Sequence, residues 1–229
     1  LSGDDVTVGN YTLIQPTGIT ANITEYTADG SEYSTNCDDW INTDFVITAN
    51  DGWKLSLSNA VDGEWNDTLT ASGETDNGSL TFYVKNTATG AISEAVTELY
   101  KIDKTAPTGE VRLNERTAFG EFINKITFGM LFGNDVNVEL TATDDASGVK
   151  SVMYFKSDKA LTETEICAVT DWTDKSDFSI EAKGAHRVIL YVRIEDNAGN
   201  IAYISSDGMT FDITAPSVTG IENGKTYYV

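Results

Sequence analysis

The chain of 229 residues has room for two ordinary domains, and it sets 36 Asp and Glu against 15 Lys and Arg, a formal net charge of −21. That balance excludes a nucleic-acid or anionic-membrane footprint, since both need clustered lysine and arginine. Two cysteines (Cys37 and Cys167), one histidine (His186) and no apolar run of bilayer-spanning length exclude a disulfide framework, a zinc cluster and a transmembrane helix. Leu1 is not an initiator residue, so the chain reads as an excerpt from a longer protein.

In chain order, short alternating runs rich in Val, Ile, Thr, Tyr and Phe are bounded by Gly, Asn and Asp, the signature of strands. Strand signals open at Val6–Val8, Tyr11–Ile14 and Ile19–Ile23. Strands are expected over 43–49 and 53–58, joined as a hairpin by Asn50-Asp51-Gly52, then over 67–71, 79–86 and 91–103, with Asn77-Gly78 as a turn. A helical turn is expected at Thr117–Lys125, where Phe119, Phe122 and Ile123 fall at helical spacing. Further strands are expected near 135–143, 149–156, 177–182, 186–195, 199–205 and 208–213. The polar segment Asp158–Lys175 reads as irregular, with Ile166 and Trp172 as inward anchors.

The organising signal is a strand running into Thr-Ala-Pro, first at Leu99–Pro107 and again at Thr210–Pro216. Proline cannot donate to a ladder and holds its predecessor extended, so each copy ends a sheet. The two prolines lie 109 residues apart, the size of one sandwich domain. Ile47-Thr-Ala49 aligns with Leu140-Thr-Ala142, and Tyr83-Val-Lys85 with Tyr191-Val-Arg193; the spacing between those pairs is 36 residues in the first repeat and 51 in the second. Tyr83 and Tyr191 occupy the penultimate strand, where sandwiches of this kind place a tyrosine that ties the strand to a corner.

The segments Tyr100–Pro107, Thr141–Val149 and Glu195-Asp-Asn-Ala-Gly-Asn200 resemble the signature segments of bacterial Ig-like repeats, and Asn10–Ile23 resembles the closing strands of YDG-type adhesin repeats. The resemblance implies an all-β chain of two consecutive immunoglobulin-like β-sandwich domains, 1–105 and 106–214. Residues 1–26 then belong to the first domain or to an upstream repeat, and 215–229 open a third repeat. It also implies extracellular modules on the cell surface of, or secreted by, a Gram-positive bacterium.

Chemistry is sparse. His186 has no nucleophile elbow to serve, no glycine loop cradles phosphate, and the carboxylate pairs Asp4-Asp5, Asp38-Asp39 and Asp144-Asp145 lack an obvious cleft. Trp40, Trp53, Trp65 and Trp172 sit among Asp, Asn and Gly, as in sugar-binding modules; only Trp65, in Asp62–Asp67, lies in a run polar enough for a glycan contact. Asp103, Asp144, Asp145 and Asp196 are expected to converge at the joint between the domains, because the loop between the second and third strands and the loop between the last two share one end of such a sandwich. Converging carboxylates repel unless a cation intervenes, and calcium takes six to eight oxygens in loose geometry. The competing reading is that these residues cap tight turns through backbone hydrogen bonds.

The function expected is therefore non-catalytic: monomeric spacer modules, adhesive at most, with no cofactor beyond calcium. Their partners would be neighbouring repeats of the same chain and a host or cell-wall glycan or protein. A carbohydrate-binding or ligand-specific adhesion module is the alternative. Both cysteines are expected as reduced, partly buried thiols.

Overall fold

The computed structural model describes residues 6–8, 11–13, 23–27, 39–114, 116–119, 126–175 and 178–217. The chain divides into two compact units. The first comprises Leu1–Ala106 with the excursions Asp144–Gly148 and Asp196–Asn200; the second comprises Pro107–Thr143, Val149–Glu195 and Ile201–Val229.

The first unit opens with β1 (Val6–Val8) and β2 (Tyr11–Leu13), an antiparallel pair. Its sandwich is built from β3 (Ile23–Thr27), β4 (Trp40–Ile41), β5 (Phe45–Ala49), β6 (Trp53–Ser56), β7 (Thr68–Ala71), β8 (Thr75–Asn86) and β9 (Val96–Ile102). One sheet runs β3-β5-β7 and the other β4-β9-β8-β6, with β4 parallel to β9. Residues 23–26 thus belong to the first sandwich through the pairing of β3 with β5. Strict alternation sends Phe45 and Ile47 of β5 inward against Leu55, Phe82, Val84 and Ile102, all fully buried.

The second unit carries β10 (Thr108–Leu113), β11 (Arg116–Phe119), β12 (Met130–Phe132), β13 (Val136–Thr143), β14 (Val149–Ser157), α1 (Glu163–Cys167), β15 (Thr173–Asp174), β16 (Phe178–Ile180), β17 (His186–Asp196), β18 (Ile201–Ser205) and β19 (Met209–Phe211). One sheet runs β11-β10-β13-β16. The other runs β12-β19-β17-β14-β15, with β18 also on β17 and β12 parallel to β19. In β13, Val136, Val138 and Leu140 are buried while Asn137, Glu139 and Thr141 face out, a clean period of two. The unit repeats the first one's strand order: a first strand on the second, the second on a late one, and a short strand parallel to the last. That order, in two all-β units, is the immunoglobulin-like sandwich.

Four local expectations are corrected. Asn50-Asp51-Gly52 does turn, with Trp53 N–H donating to Asn50 O and Gly52 at φ +85°, but it carries the chain from one sheet to the other instead of closing a hairpin. Asn77-Gly78 is not a turn: both residues lie inside β8 at a register shift, where Tyr100 covers Gly78 so closely that a Cβ would fall 2.3 Å from its ring. The expected helical turn at 117–125 is a strand, β11, as far as Phe119, and 120–125 lie outside the described residues. The helix is instead α1, inside the segment read as irregular. Its N-cap is a capping box: Thr162 Oγ1 accepts from Glu165 N–H, and Glu165 Oε2 accepts from Thr162 N–H.

That segment explains the longer middle of the second repeat. Leu161, Ile166, Val169 and Trp172 pack on Ile189, Tyr191, Phe155 and Tyr203, so β17 is buried on both faces. Tyr191 ties its strand to the inserted α1 segment instead of to a corner, its hydroxyl accepting from Leu161 N–H at 2.8 Å; burial raises its pKa above the ordinary tyrosine value.

Candidate functional site

The described residues hold one group of three carboxylates able to share a cation: Asp103, Asp144 and Asp196, with one oxygen of each lying within 4.8 Å of the others. All three belong to the first unit. Asp145, expected with them, is exposed and outside the group.

The chain builds this cluster from the ends of its strands. Asp103 follows β9 directly, and its N–H donates to Ile41 O. Its side chain is fully buried, and its two oxygens accept from Thr105 N–H (3.0 Å) and Ser147 N–H (3.1 Å). Asp144, where β13 ends, folds its own turn: Oδ1 accepts from Ala146 N–H (3.2 Å) and Gly148 N–H (2.7 Å), with Gly148 at φ +81°. Asp196, where β17 ends, is also fully buried; its Oδ1 accepts from Asn200 N–H and its Oδ2 from Asn200 Nδ2, each at 2.8 Å.

Two asparagines stitch the pieces together. Asn200 Nδ2 also reaches Asp103 O at 2.9 Å, 97 residues away in sequence. Asn197 donates from its backbone to Gly148 O and from Nδ2 to Ser147 O. The result is a knot in which every carboxylate accepts backbone N–H bonds, the arrangement of the turn-capping reading. An all-oxygen set containing three carboxylates is also the donor chemistry of calcium, since a carboxylate oxygen holding one N–H keeps a second lone pair. Two like charges 4.8 Å apart repel by about 3 kcal/mol at an effective dielectric near 20, and either the N–H donors or a cation must offset that.

The other predicted residues separate. Trp65 is half-buried, its Nε1 donating to Ala60 O while Lys85 Nζ stands 5.1 Å over the ring. Trp40 lies under Lys101, Trp53 packs on the first core, and Trp172 packs against Tyr203 and Phe155. His186 stacks flat on Phe211 with centroids 4.6 Å apart. Cys167 is a free thiol and exposed, not partly buried; Cys37 lies outside the described residues. A hollow of about 580 Å³ beside β10, β13 and β16 contains Arg112, Asn137 and Glu139 but only one carboxylate.

In the sequence Asn197 and Asn200 read only as caps of their own turns, and Ser147 carries no signal. Their partners lie 44 to 97 residues away, and no local pattern encodes such distances. The capping box at Thr162–Glu165 was there to be read.

No protein-family model matches the chain, and no curated protein matches it. Among solved structures, the fibronectin(III)-like modules of CbhA from Clostridium thermocellum match at 12% identity and a TM-score of 0.33, covering 76% of this chain and 88% of that one. The immunoglobulin-like assignment rests on the strand order, not on this likeness. No described helix is long and apolar enough to cross a membrane.

Proposed function

We propose that the chain is a pair of non-catalytic structural modules, spacers of a bacterial cell-surface or secreted protein of the kind its signature segments resemble. The observation that carries this reading is the commitment of its carboxylate cluster and its histidine to the fold. Asp103, Asp144 and Asp196, the one group of three converging carboxylates among the described residues, are each held by backbone N–H groups. His186 is stacked on Phe211, and the tryptophans are engaged by core or lysine. The test is incubation with panels of polysaccharides and peptides. No release of reducing ends or amines is expected; turnover that disappears in Asp144→Ala sinks the reading.

A second reading is favoured by the approach of three carboxylates, two of them fully buried: calcium shared by Asp103, Asp144 and Asp196 as a structural ion. It would stiffen the loops that the asparagines already join. Since all three residues fall in the first unit, calorimetry in calcium should raise that unit's transition relative to chelator, and Asp103→Asn should abolish the rise. Identical unfolding in calcium and chelator eliminates the ion and leaves the knot to its hydrogen bonds.

A further inference from the structure

We propose that the outward face of β6, β8 and β9 in the first unit binds an acidic polysaccharide laid along the strands. Residues 1–106 contain four lysines and no arginine, and three of the lysines, Lys54, Lys85 and Lys101, occupy outward positions of this one sheet. The outward positions of β6, of β9 and of β8 from Ser79 onward hold no Asp or Glu, in a chain whose net charge is −21.

The lysines are placed against the interest of the sheet. Lys54 and Lys85 stand directly opposite each other on neighbouring strands, where like charges destabilise a ladder. The surroundings hold them there: Asp67 accepts from Lys54 Nζ at 2.5 Å, Val61 O accepts from Lys85 Nζ at 3.2 Å, and the Trp65 ring lies beneath Lys85. Lys101 rests over Trp40. A local arrangement that costs stability and is nevertheless supported marks a surface built for something other than folding.

The second unit shows what this face looks like when the chain covers it. There the matching positions, Ile189 and Tyr191, are buried under the α1 segment. In the first unit they are Thr81, exposed and paired through its hydroxyl with Thr97, and Tyr83, half-buried. Leu99 is the one large aliphatic side chain at these outward positions, too little for the apolar centre of a protein interface. Hydroxyls between ammonium groups suit a ligand that alternates hydroxyl and carboxylate, as uronate polymers do.

Reach decides between monomer and polymer. With Thr81 opposite Thr97, Lys85 and Lys101 fall eight register positions apart, about 27 Å at the rise of a strand. A single sugar cannot touch both; a chain can. The overall negative charge opposes the approach of a polyanion, but at physiological salt its field is screened within about 8 Å, so the local face governs contact.

The test uses the full chain titrated calorimetrically with polygalacturonate, with dextran as the neutral polymer and poly-L-glutamate as the acidic polypeptide. Binding to polygalacturonate alone, weakening as salt rises, is the expected result. Lys85→Gln with Lys101→Gln should weaken it about tenfold or more, while Lys85→Arg with Lys101→Arg and the second-unit variant Lys159→Gln should leave it unchanged; unaltered melting of each variant establishes folding. No binding at low salt, equal binding to dextran or poly-L-glutamate, or undiminished binding by the double glutamine variant overturns the proposal.

Discussion

At the scale of single residues, the fold depends on a few side chains whose partners are distant in sequence. Asn200 is the clearest. Its carboxamide serves both Asp103 O and the buried Asp196 carboxylate, so Asn200→Ala leaves acceptors behind without relieving any charge. The expected loss is about 2–3 kcal/mol from the first unit, read as a lower midpoint in chemical denaturation. Gly78 makes the complementary case. Tyr100 is held in place by stacking on Phe45 at 5.0 Å, so the ring cannot yield to a new methyl group. Gly78→Ala should cost about 1–3 kcal/mol, and much of that should return when Tyr100→Ala is added in a double-mutant cycle. Glu195 carries a pH signature. A hydrogen bond from Lys150 holds its carboxyl below the ordinary value of 4.5; burial opposes this, and Arg193 adds to the lowering. A depressed folded pKa means stability that is present above pH about 4.5 and lost as pH falls through the folded value. Lys150→Ala should therefore flatten the acid limb of the second unit's stability profile below that pH and destabilise it above, which urea melts across the range would display.

At the scale of elements, α1 is a short helix with a long-range task. Its capping box sets its start, and Ile166, fully buried, packs in one cluster with Ile189 and Tyr191. Ile166→Ala should cost about 2–5 kcal/mol and act on the second unit alone. Legibility in the sequence divides along the same line. Strands such as β13 were readable because one face is buried and the other wet, which forces a period of two. The helix was not found because its five residues show too little periodicity, while Phe119, Phe122 and Ile123 mimicked a helical spacing that Arg116–Phe119, paired with β10, does not adopt. Asn77-Gly78 carried the strongest turn signal in its region and was overridden by packing: the glycine is needed for the close approach of Tyr100, not for a reversal. The carboxylate cluster was partly legible, since loop topology placed three aspartates together, but nothing local separated Asp145 from Asp144.

At the scale of the molecule, both units use one strand order and treat the sheet made by their last strands differently. The first leaves an outward face of lysine and hydroxyl; the second buries its counterpart under a fifteen-residue-longer middle. That difference has a consequence for how the protein opens. Four consecutive residues of β17, Ile189 to Val192, are buried, with Leu190 and Val192 in the main core and Ile189 and Tyr191 in the smaller one. Their amides can meet solvent only if both clusters are lost, whereas along β8 the exposed Thr81 alternates with buried Phe82 and Val84. Native-state hydrogen exchange should therefore find 189–192 exchanging only through global opening of the second unit, with the same denaturant slope as its unfolding. Ile166→Ala, which weakens one cluster and leaves the other, should speed exchange at 189–192 together and by the factor that the unit's global stability falls, with no local opening class of their own.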